Sequence, residues 1–158
     1  MSGRLELLEM VQDETLRMYP PARIGARKSI EKYEFAGQTV PGGAYVNHSS
    51  WVSPHLAHVF LEPNEFRPER FAPEQKAALP KGAYVPFGAG SRICIGMRFG
   101  QLETKAIATA LLRRFDFELE PGYKLQIRQM LTIGPRHGVP RIVHRRDRTA
   151  ALHGPLAA

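Results

Sequence analysis

The sequence predicts a mixed α/β chain that is mainly helical. Two segments, residues 4–18 and 97–115, carry apolar residues at helical spacing. Between and after them lie short stretches typical of strands, which are separated by turns rich in proline and glycine. With 158 residues, 43% of them hydrophobic, the chain is long and apolar enough to form a core.

The first predicted helix covers residues 4–18 and ends at Pro20 and Pro21, because proline lacks the amide hydrogen that a helix needs. Five of its residues fall near one face: Leu5, Leu8, Val11, Thr15 and Met18. After the prolines, three strand-like segments follow, at residues 33–37, 38–40 and 44–50, with a Pro-Gly-Gly turn before the last of them.

The second half of the chain has three further segments. Residues 61–90 predict a long irregular connection, of a kind that usually carries function or is disordered. A second helix is predicted over residues 97–115, and a final hairpin over residues 121–135. We expect one domain over residues 1–148 and a disordered tail over residues 149–158.

Charge is unevenly distributed along the chain. Residues 1–80 have a net charge of −1 and residues 81–158 a net charge of +8, which gives +7 overall. The basic half is either a solvated face with a basic tail at residues 141–148, or a surface that attracts an acidic partner or a ligand with carboxylates. A single cysteine excludes an internal disulfide, and no segment resembles a signal peptide or a membrane span, so a cytoplasmic protein is expected.

The one cysteine lies in the segment FGAGSRICIG, residues 87–96. Cys94 directly precedes the second predicted helix, whose N-terminal partial positive charge favours a thiolate. Gly90 and Gly96 remove side-chain bulk on both sides, and Arg92 offers a planar fork for a carboxylate. Together with Phe87, these features suit a large flat metal cofactor that bears acid groups, a description that heme with a cysteine ligand meets.

Two other uses of Cys94 fit the sequence less well. A structural zinc site needs four ligands, whereas the chain offers one cysteine and a single close histidine pair, His55 and His58. A catalytic cysteine with a distant histidine is compatible with the six histidines of the chain, but no second element supports it.

Three motifs, in order, give the chain a resemblance to a known family. Residues 87–96 match the pattern F-x-x-G-x-R-x-C-x-G, residues 14–17 match E-x-x-R before a Pro-Pro pair, and residues 66–71 contain P-E-R-F. On these residues, the chain from about residue 4 to 146 resembles the C-terminal portion of a cytochrome P450. The implied fold is an E-x-x-R helix, small β-sheet hairpins, a meander, a cysteine-ligand loop, a long helix and a C-terminal β-hairpin.

The resemblance also implies a heme b site. Cys94 would supply the axial thiolate of the iron, and Phe87 would pack near its sulfur, within the loop that contains Gly90 and Gly96. Arg92 would pair with a heme propionate. Arg27 resembles a second propionate-binding arginine, although Arg23 lies close by.

By the same resemblance, Glu14, Arg17 and Arg70 would form a salt-bridged triad, although Glu14 and Arg17 alone also suit an ordinary surface helix pair. Residues 22–26 and 130–133 would line a substrate pocket, although as bare sequence they are simply apolar strand. The chain departs from many members of the family where Pro54 and His55 stand in place of a His-Arg pair.

The implied activity is heme-thiolate monooxygenation of a small organic substrate, with electrons from a ferredoxin or a flavoprotein reductase. We expect Arg98 and Lys105, which follow Cys94 on the predicted helix, to lie on the face that docks this donor. The sequence has no counterpart of the family's oxygen-activating helix. A truncated non-catalytic fragment, or half of a split enzyme that needs its missing N-terminal portion, is therefore the alternative.

A more remote alternative is a small basic module that binds a polyanion. Its basic residues lack interleaved aromatic side chains, and no nucleic-acid recognition signature is present, so nucleic acid is not an expected partner.

Overall fold

The computed structural model describes residues 2–146, with side chains described from Leu5 onward. The helices are α1 (Ser2–Met18), α2 (Pro73–Ala77) and α3 (Met97–Leu112). The strands are β1 (Ile24–Lys28), β2 (Tyr33–Phe35), β3 (Gln38–Val40), β4 (Tyr45–Ser49), β5 (Phe115–Leu119), β6 (Ile127–Gln129), β7 (Ile133–Pro135) and β8 (Arg141–Arg145). Short 3-10 turns lie at Ser53–His55, Pro68–Phe71 and Gly90–Arg92.

The chain divides into two compact units. Within the described residues, the first comprises residues 2–97 and 129–134, and the second comprises residues 98–128 and 135–146. The described strands form four two-stranded sheets, β1 with β4, β2 with β3, β5 with β8, and β6 with β7. The segment that contains Cys94, residues 87–96, and the E-x-x-R helix α1 both lie in the first unit.

Strand pairing follows the turn chemistry of the sequence. β2 and β3 are antiparallel and are joined by Ala36 and Gly37, whose φ angles of 50° and 76° suit the tight turn of a two-residue hairpin. β1 pairs antiparallel with β4, so that Ile24 lies opposite Ser49. β5 pairs in the same way with β8, which is more than twenty residues further along the chain.

Helix α1 confirms the first predicted helix, but its predicted apolar face is at most half-buried. Leu5 and Thr15 are exposed, whereas Asp13, Glu14 and Arg17 are buried. These three residues share one face at helical spacing. The buried face of α1 is therefore charged, and its partners are described with the candidate site below.

A small apolar cluster forms the core of the first unit. Phe60, Phe71 and Ala83 are buried, and the rings of Phe60 and Phe71 lie 6.3 Å apart. Four half-buried side chains pack against this cluster: Met10, Val59, Leu79 and Tyr84. The predicted irregular connection, residues 61–90, thus contributes much of the core and contains α2 besides 3-10 turns.

Three predicted boundaries need correction. The second helix was expected to reach residue 115, but α3 ends at Leu112 and Phe115 begins β5. The segment expected to be a basic tail contains β8, because its residues 141–145 pair with β5. β1 overlaps the apolar strand-like segment at residues 22–26 but begins and ends two residues later, whereas β2, β3 and β4 confirm the three strand-like segments and β6 with β7 forms the predicted final hairpin.

The predicted disordered tail, residues 149–158, lies outside the described residues. Within residues 2–146, no helix combines the length and the apolar composition that crossing a bilayer requires.

Candidate functional site

The cysteine loop is closed by its own backbone hydrogen bonds. The amide of Cys94 donates to the carbonyl of Phe87 at 2.9 Å, and the amide of Ile93 donates to the carbonyl of Gly90 at 3.1 Å. The amide of Met97, where α3 begins, donates to the carbonyl of Cys94 at 3.2 Å. These bonds fix Cys94 at the entry to α3, and its thiol is free and exposed.

Two glycines of the loop differ in what a side chain at their positions would meet. Gly90 has a φ of 70°, a left-handed conformation that other residues rarely adopt, and a β-carbon there would meet no atom within 4 Å. A β-carbon on Gly96 would meet the Cys94 sulfur, at 3.8 Å. Any side chain at residue 96 would therefore stand beside the sulfur, and glycine leaves that approach clear.

The loop also exposes apolar surface. Ile95 is fully exposed, and Ile93 is 45% exposed, on either side of Cys94. An exposed thiol flanked by two exposed isoleucines suits a flat, largely apolar metal cofactor. Heme with a single thiolate ligand is such a cofactor. Among the described residues no cluster of three or more His, Cys, Asp or Glu could hold a metal ion, so the geometry offers no zinc site of ordinary composition there.

The two arginines predicted to bind propionates lie at the surface. Arg92 is exposed at the end of the 3-10 turn inside the loop. Arg27 is exposed on β1, where its Nη1 donates to the carbonyl of the adjacent Ala26 at 2.8 Å. Phe87 is half-buried and is joined to Cys94 through the backbone bond described above.

The structure brings Glu14 and Arg17 together in a buried, two-point ion pair. The Nε of Arg17 lies 2.6 Å from Oε2 of Glu14, its Nη2 lies 2.9 Å from Oε1, and both side chains are 0% exposed. Arg17 also donates to three backbone carbonyls, those of Pro54 at 2.8 Å, Pro63 at 2.9 Å and Glu65 at 3.3 Å. All five guanidinium N–H groups thus have an acceptor.

Arg70 joins this pair with weaker geometry. Its Nε lies 3.4 Å from Oε1 of Glu14, which is ion-pair distance, yet this nitrogen has no hydrogen-bond partner among the described residues. Its Nη groups donate to the carbonyls of Leu61 and Glu62. The closer bond to Glu14 comes from the backbone amide of Arg67, at 2.8 Å. The surface-pair alternative for Glu14 and Arg17 is therefore wrong, because both are fully buried.

A second polar cluster, centred on the buried Asp13, was not predicted from the sequence. Lys76 Nζ lies 2.6 Å from Oδ2 of Asp13, and the Tyr84 hydroxyl donates to Oδ1 of Asp13 at 3.0 Å. Burial, and secondly the negative charge of Asp13, raise the pKa of Tyr84 far above its usual range. Since these partners of Asp13 are 63 and 71 residues away in the chain, no local pattern marks them.

A cavity of about 390 Å³ lies beside β1 and β4. The guanidinium of Arg23 lies 5.2 Å from the centre of the Trp51 ring, and its Nη1 is 3.4 Å from Oε1 of Gln129. Of the two segments predicted to line a substrate pocket, the first contributes Arg23 and Ile24 to this cavity. The second begins one residue after Gln129 and itself does not line it.

Three comparisons with known proteins agree with one another. Residues 1–137 match the family model described as Cytochrome P450. The chain is 38% identical over 146 residues to the 11-oxo-beta-amyrin 30-oxidase of Glycyrrhiza uralensis, covering 90% of this chain and 28% of that protein. It is also 38% identical over 137 residues to the thromboxane-A synthase of Macaca fascicularis, covering 85% of this chain and 26% of that protein.

Among solved structures, the chain is similar to retinoic acid-bound cyanobacterial CYP120A1. The two share 34% identity with a TM-score of 0.82, over 89% of this chain and 32% of that one. The chain thus spans between a quarter and a third of the length of these relatives.

Proposed function

Since the chain belongs to the cytochrome P450 family, we propose that it forms the heme-binding portion of a monooxygenase that inserts one oxygen atom of O2 into an organic substrate. The observation that carries this proposal is the exposed thiol of Cys94, held at the entry to α3 by a loop that closes on Phe87. Heme iron with a thiolate ligand supplies the oxygen chemistry, because the thiolate donates electron density that favours O–O cleavage.

The other loop residues shape the cofactor site in this proposal. Cys94 ligates the iron of heme b, Phe87 packs near the sulfur, and the absence of side chains at Gly90 and Gly96 lets the macrocycle approach. Arg92 and Arg27 bind the propionates, for which two exposed guanidinium groups are suited by charge and by their planar donors.

Glu14, Arg17 and Arg70 act as a brace. Their bonds hold α1 against residues 54–70, and the same stretch of chain continues through the apolar core into the cysteine loop. We therefore expect loss of this network to prevent heme uptake, although none of the three residues carries a ligand for the iron.

The substrate in this proposal is a small, largely apolar organic molecule. The structural relative CYP120A1 was solved with retinoic acid, a lipophilic acid, which is consistent with that class. Electrons come from a ferredoxin or a flavoprotein reductase that docks near Arg98 and Lys105. Because the chain spans about 28% of the first curated relative, we expect turnover to require the remainder of the fold as well.

The test of the proposal is a ligand-specific spectrum. The chain is reconstituted with heme and reduced, and the carbon monoxide complex is recorded, in which a thiolate ligand gives a strongly red-shifted Soret band. The band should be present in the unchanged chain and in Ser91→Ala, a matched change within the loop, and absent in Cys94→Ser. A band that survives Cys94→Ser would show that another residue ligates the iron.

A further inference from the structure

A short segment, residues 84–88, leads from the apolar core into the cysteine loop. It contains a turn in which the amide of Gly88 donates to the carbonyl of Val85 at 3.0 Å. The carbonyl of Phe87, inside this turn, accepts the hydrogen bond from the amide of Cys94 at 2.9 Å. One turn and one hydrogen bond therefore connect the start of the segment to the backbone of Cys94.

Tyr84 begins this segment and is attached to two other parts of the first unit. Its hydroxyl lies 3.0 Å from Oδ1 and 3.1 Å from the backbone carbonyl oxygen of Asp13 on α1. Its ring packs against Phe71, with the ring centroids 4.7 Å apart, and the preceding Ala83 is buried in the apolar core. The chain is thus fixed to α1 and to the core immediately before it enters the cysteine loop.

The carboxylate of Asp13 is held in the orientation that this contact requires. Asp13 is 2% exposed, and the ammonium of Lys76 lies 2.6 Å from its Oδ2, which leaves Oδ1 for the Tyr84 hydroxyl. A buried carboxylate without such partners is strongly unfavourable. Burial, and secondly the charge of Asp13, hold the pKa of Tyr84 above its usual range, so its hydroxyl remains a donor at neutral pH.

We propose that Asp13, Lys76 and Tyr84 are positioning residues for the axial thiolate, which act on Cys94 through the turn at residues 85–88. This inference rests on the proposed function, because it concerns the cysteine that ligates the iron there. All three residues lie outside the motifs by which the site was identified, and none of them touches the reacting atoms in this proposal. A displacement of about 1 Å is enough to impair a functional site. Loss of the Tyr84 hydroxyl should therefore weaken thiolate ligation.

Amide hydrogen exchange of the 158-residue chain without heme tests this coupling. Exchange is followed by NMR in the unchanged chain and in Tyr84→Phe, which removes the hydroxyl and keeps the ring that packs against Phe71. We expect the amide of Cys94 to exchange about tenfold faster in Tyr84→Phe, because the turn that holds its acceptor opens more often. The amides of β1 and β4, in the same unit, should exchange at unchanged rates.

Four further variants separate this contact from general effects. Lys76→Met should also accelerate exchange of the Cys94 amide, because it leaves the carboxylate of Asp13 without its ammonium. Lys76→Arg keeps the positive charge and should keep the slow rate. Lys81→Met is the matched control for charge, since Lys81 is exposed in the same stretch of chain, and Tyr123→Phe is the matched control for a hydrogen-bonded hydroxyl, in the second unit. Both controls should leave the exchange of the Cys94 amide unchanged.

The carbon monoxide complex of the reduced, heme-loaded chain gives a second readout. Tyr84→Phe should still take up heme, with partial loss of the red-shifted thiolate band relative to total heme, whereas Tyr123→Phe should show the full band. Far-UV circular dichroism checks the fold of each variant. If Tyr84→Phe does not fold, the comparison of Lys76→Met with Lys76→Arg decides the matter.

Two outcomes would overturn the inference. The first is exchange of the Cys94 amide at the same rate in Tyr84→Phe and in the unchanged chain. The second is acceleration of the amides of Cys94, β1 and β4 by one common factor, because the contact would then only stabilise the whole unit. Exchange is measured without heme, so its failure leaves the Cys94→Ser spectrum unaffected. Absence of the thiolate band from the unchanged chain, with a faster Cys94 amide in Tyr84→Phe, would refute the proposed function and leave the coupling of Tyr84 to the loop intact.

Discussion

Replacing Arg17 by alanine should be the most damaging single change in the first unit. The side chain of Arg17 makes five hydrogen bonds, two to Glu14 and three to backbone carbonyls of residues 54, 63 and 65. Alanine would leave the carboxylate of Glu14 at 0% exposure without its main counter-charge. Burying an unpaired charge is far more costly than losing a surface contact.

The expected magnitude follows from the burial of the pair. Breaking a buried ion pair by removing one partner costs about 3–5 kcal/mol. The matched control is Arg67→Ala, because the Arg67 side chain is 45% exposed and pairs with Glu62, itself 52% exposed, so about 0–1 kcal/mol is expected. Arg70→Ala should fall between them, at about 1–3 kcal/mol. It removes the hydrogen bonds to the carbonyls of Leu61 and Glu62 and the 3.4 Å ion pair with Glu14.

The measurement is urea unfolding of the three variants, followed by far-UV circular dichroism. A loss of about 3–5 kcal/mol is a large part of the total stability of a domain, which is only about 5–15 kcal/mol. All three variants and the unchanged chain are therefore unfolded in the presence of sucrose, which stabilises the folded state without changing its contacts. A double-mutant cycle with Glu14→Ala should show that the pair of changes costs less than the sum of the two. If Arg17→Ala and Arg67→Ala reduce the free energy of unfolding by similar amounts, the reasoning from burial is wrong.

Two further predictions concern pH and salt. The folded-state pKa of Tyr84 lies above its unfolded value, so its contribution to stability is complete below about pH 10 and is lost as the unfolded chain ionises above it. Tyr84→Phe should therefore lose less stability than the unchanged chain as the pH rises above about 10. If the free energies of unfolding of the two proteins in urea fall equally steeply with pH, this prediction is wrong. In a full-length P450 that carries this segment, the association rate with a reduced ferredoxin should fall as salt is raised, and Arg98→Glu should weaken that dependence. If the association rate measured by stopped flow does not change with salt, the electron donor binds at another surface.

Several elements could be predicted because their signals are local. Pro20 and Pro21 mark the end of α1, and the hairpin of β2 and β3 follows from Ala36 and Gly37 between two strand-like runs. The cysteine loop was found as a sequence pattern, and the structure places Cys94 where that pattern predicts, directly before α3.

The missed strands had weaker or misread signals. Residues 115–119 alternate between apolar and acidic side chains, which is a strand pattern, but the helical spacing of the preceding residues led the predicted helix past Leu112. β8 was hidden by its charge, since its sequence reads as a basic run until it pairs with β5. β1 has no alternation in burial, and its pairing with β4 sets its bounds, two residues later than the sequence indicates.

The candidate sites also differ in whether their residues belong to a local sequence motif or meet only in the folded chain. The cysteine loop and the three triad residues belong to motifs, so sequence alone could propose them. Arg23 was noted as a neighbour of Arg27 and as part of residues 22–26, but nothing in the sequence shows that Trp51 and Gln129 meet it. Asp13 was missed for the same reason, since its contacts with Lys76 and Tyr84 depend on the folded path of residues 61–90.

The way α1 is held has a consequence for how this segment can change over evolution. Arg17 and the carboxylate of Glu14 bond to main-chain atoms of residues 54, 63, 65 and 67, and those atoms are the same whatever the side chains are. A substitution at these positions therefore leaves the bonds to Arg17 and Glu14 in place, except for a proline at residue 67, which would lack the donating N–H, whereas a change in the number of residues between them would not. A single-residue insertion or deletion within 55–66 would move the carbonyls of residues 63 and 65 away from the Arg17 guanidinium. Natural variants should accordingly differ here by substitution and keep their length.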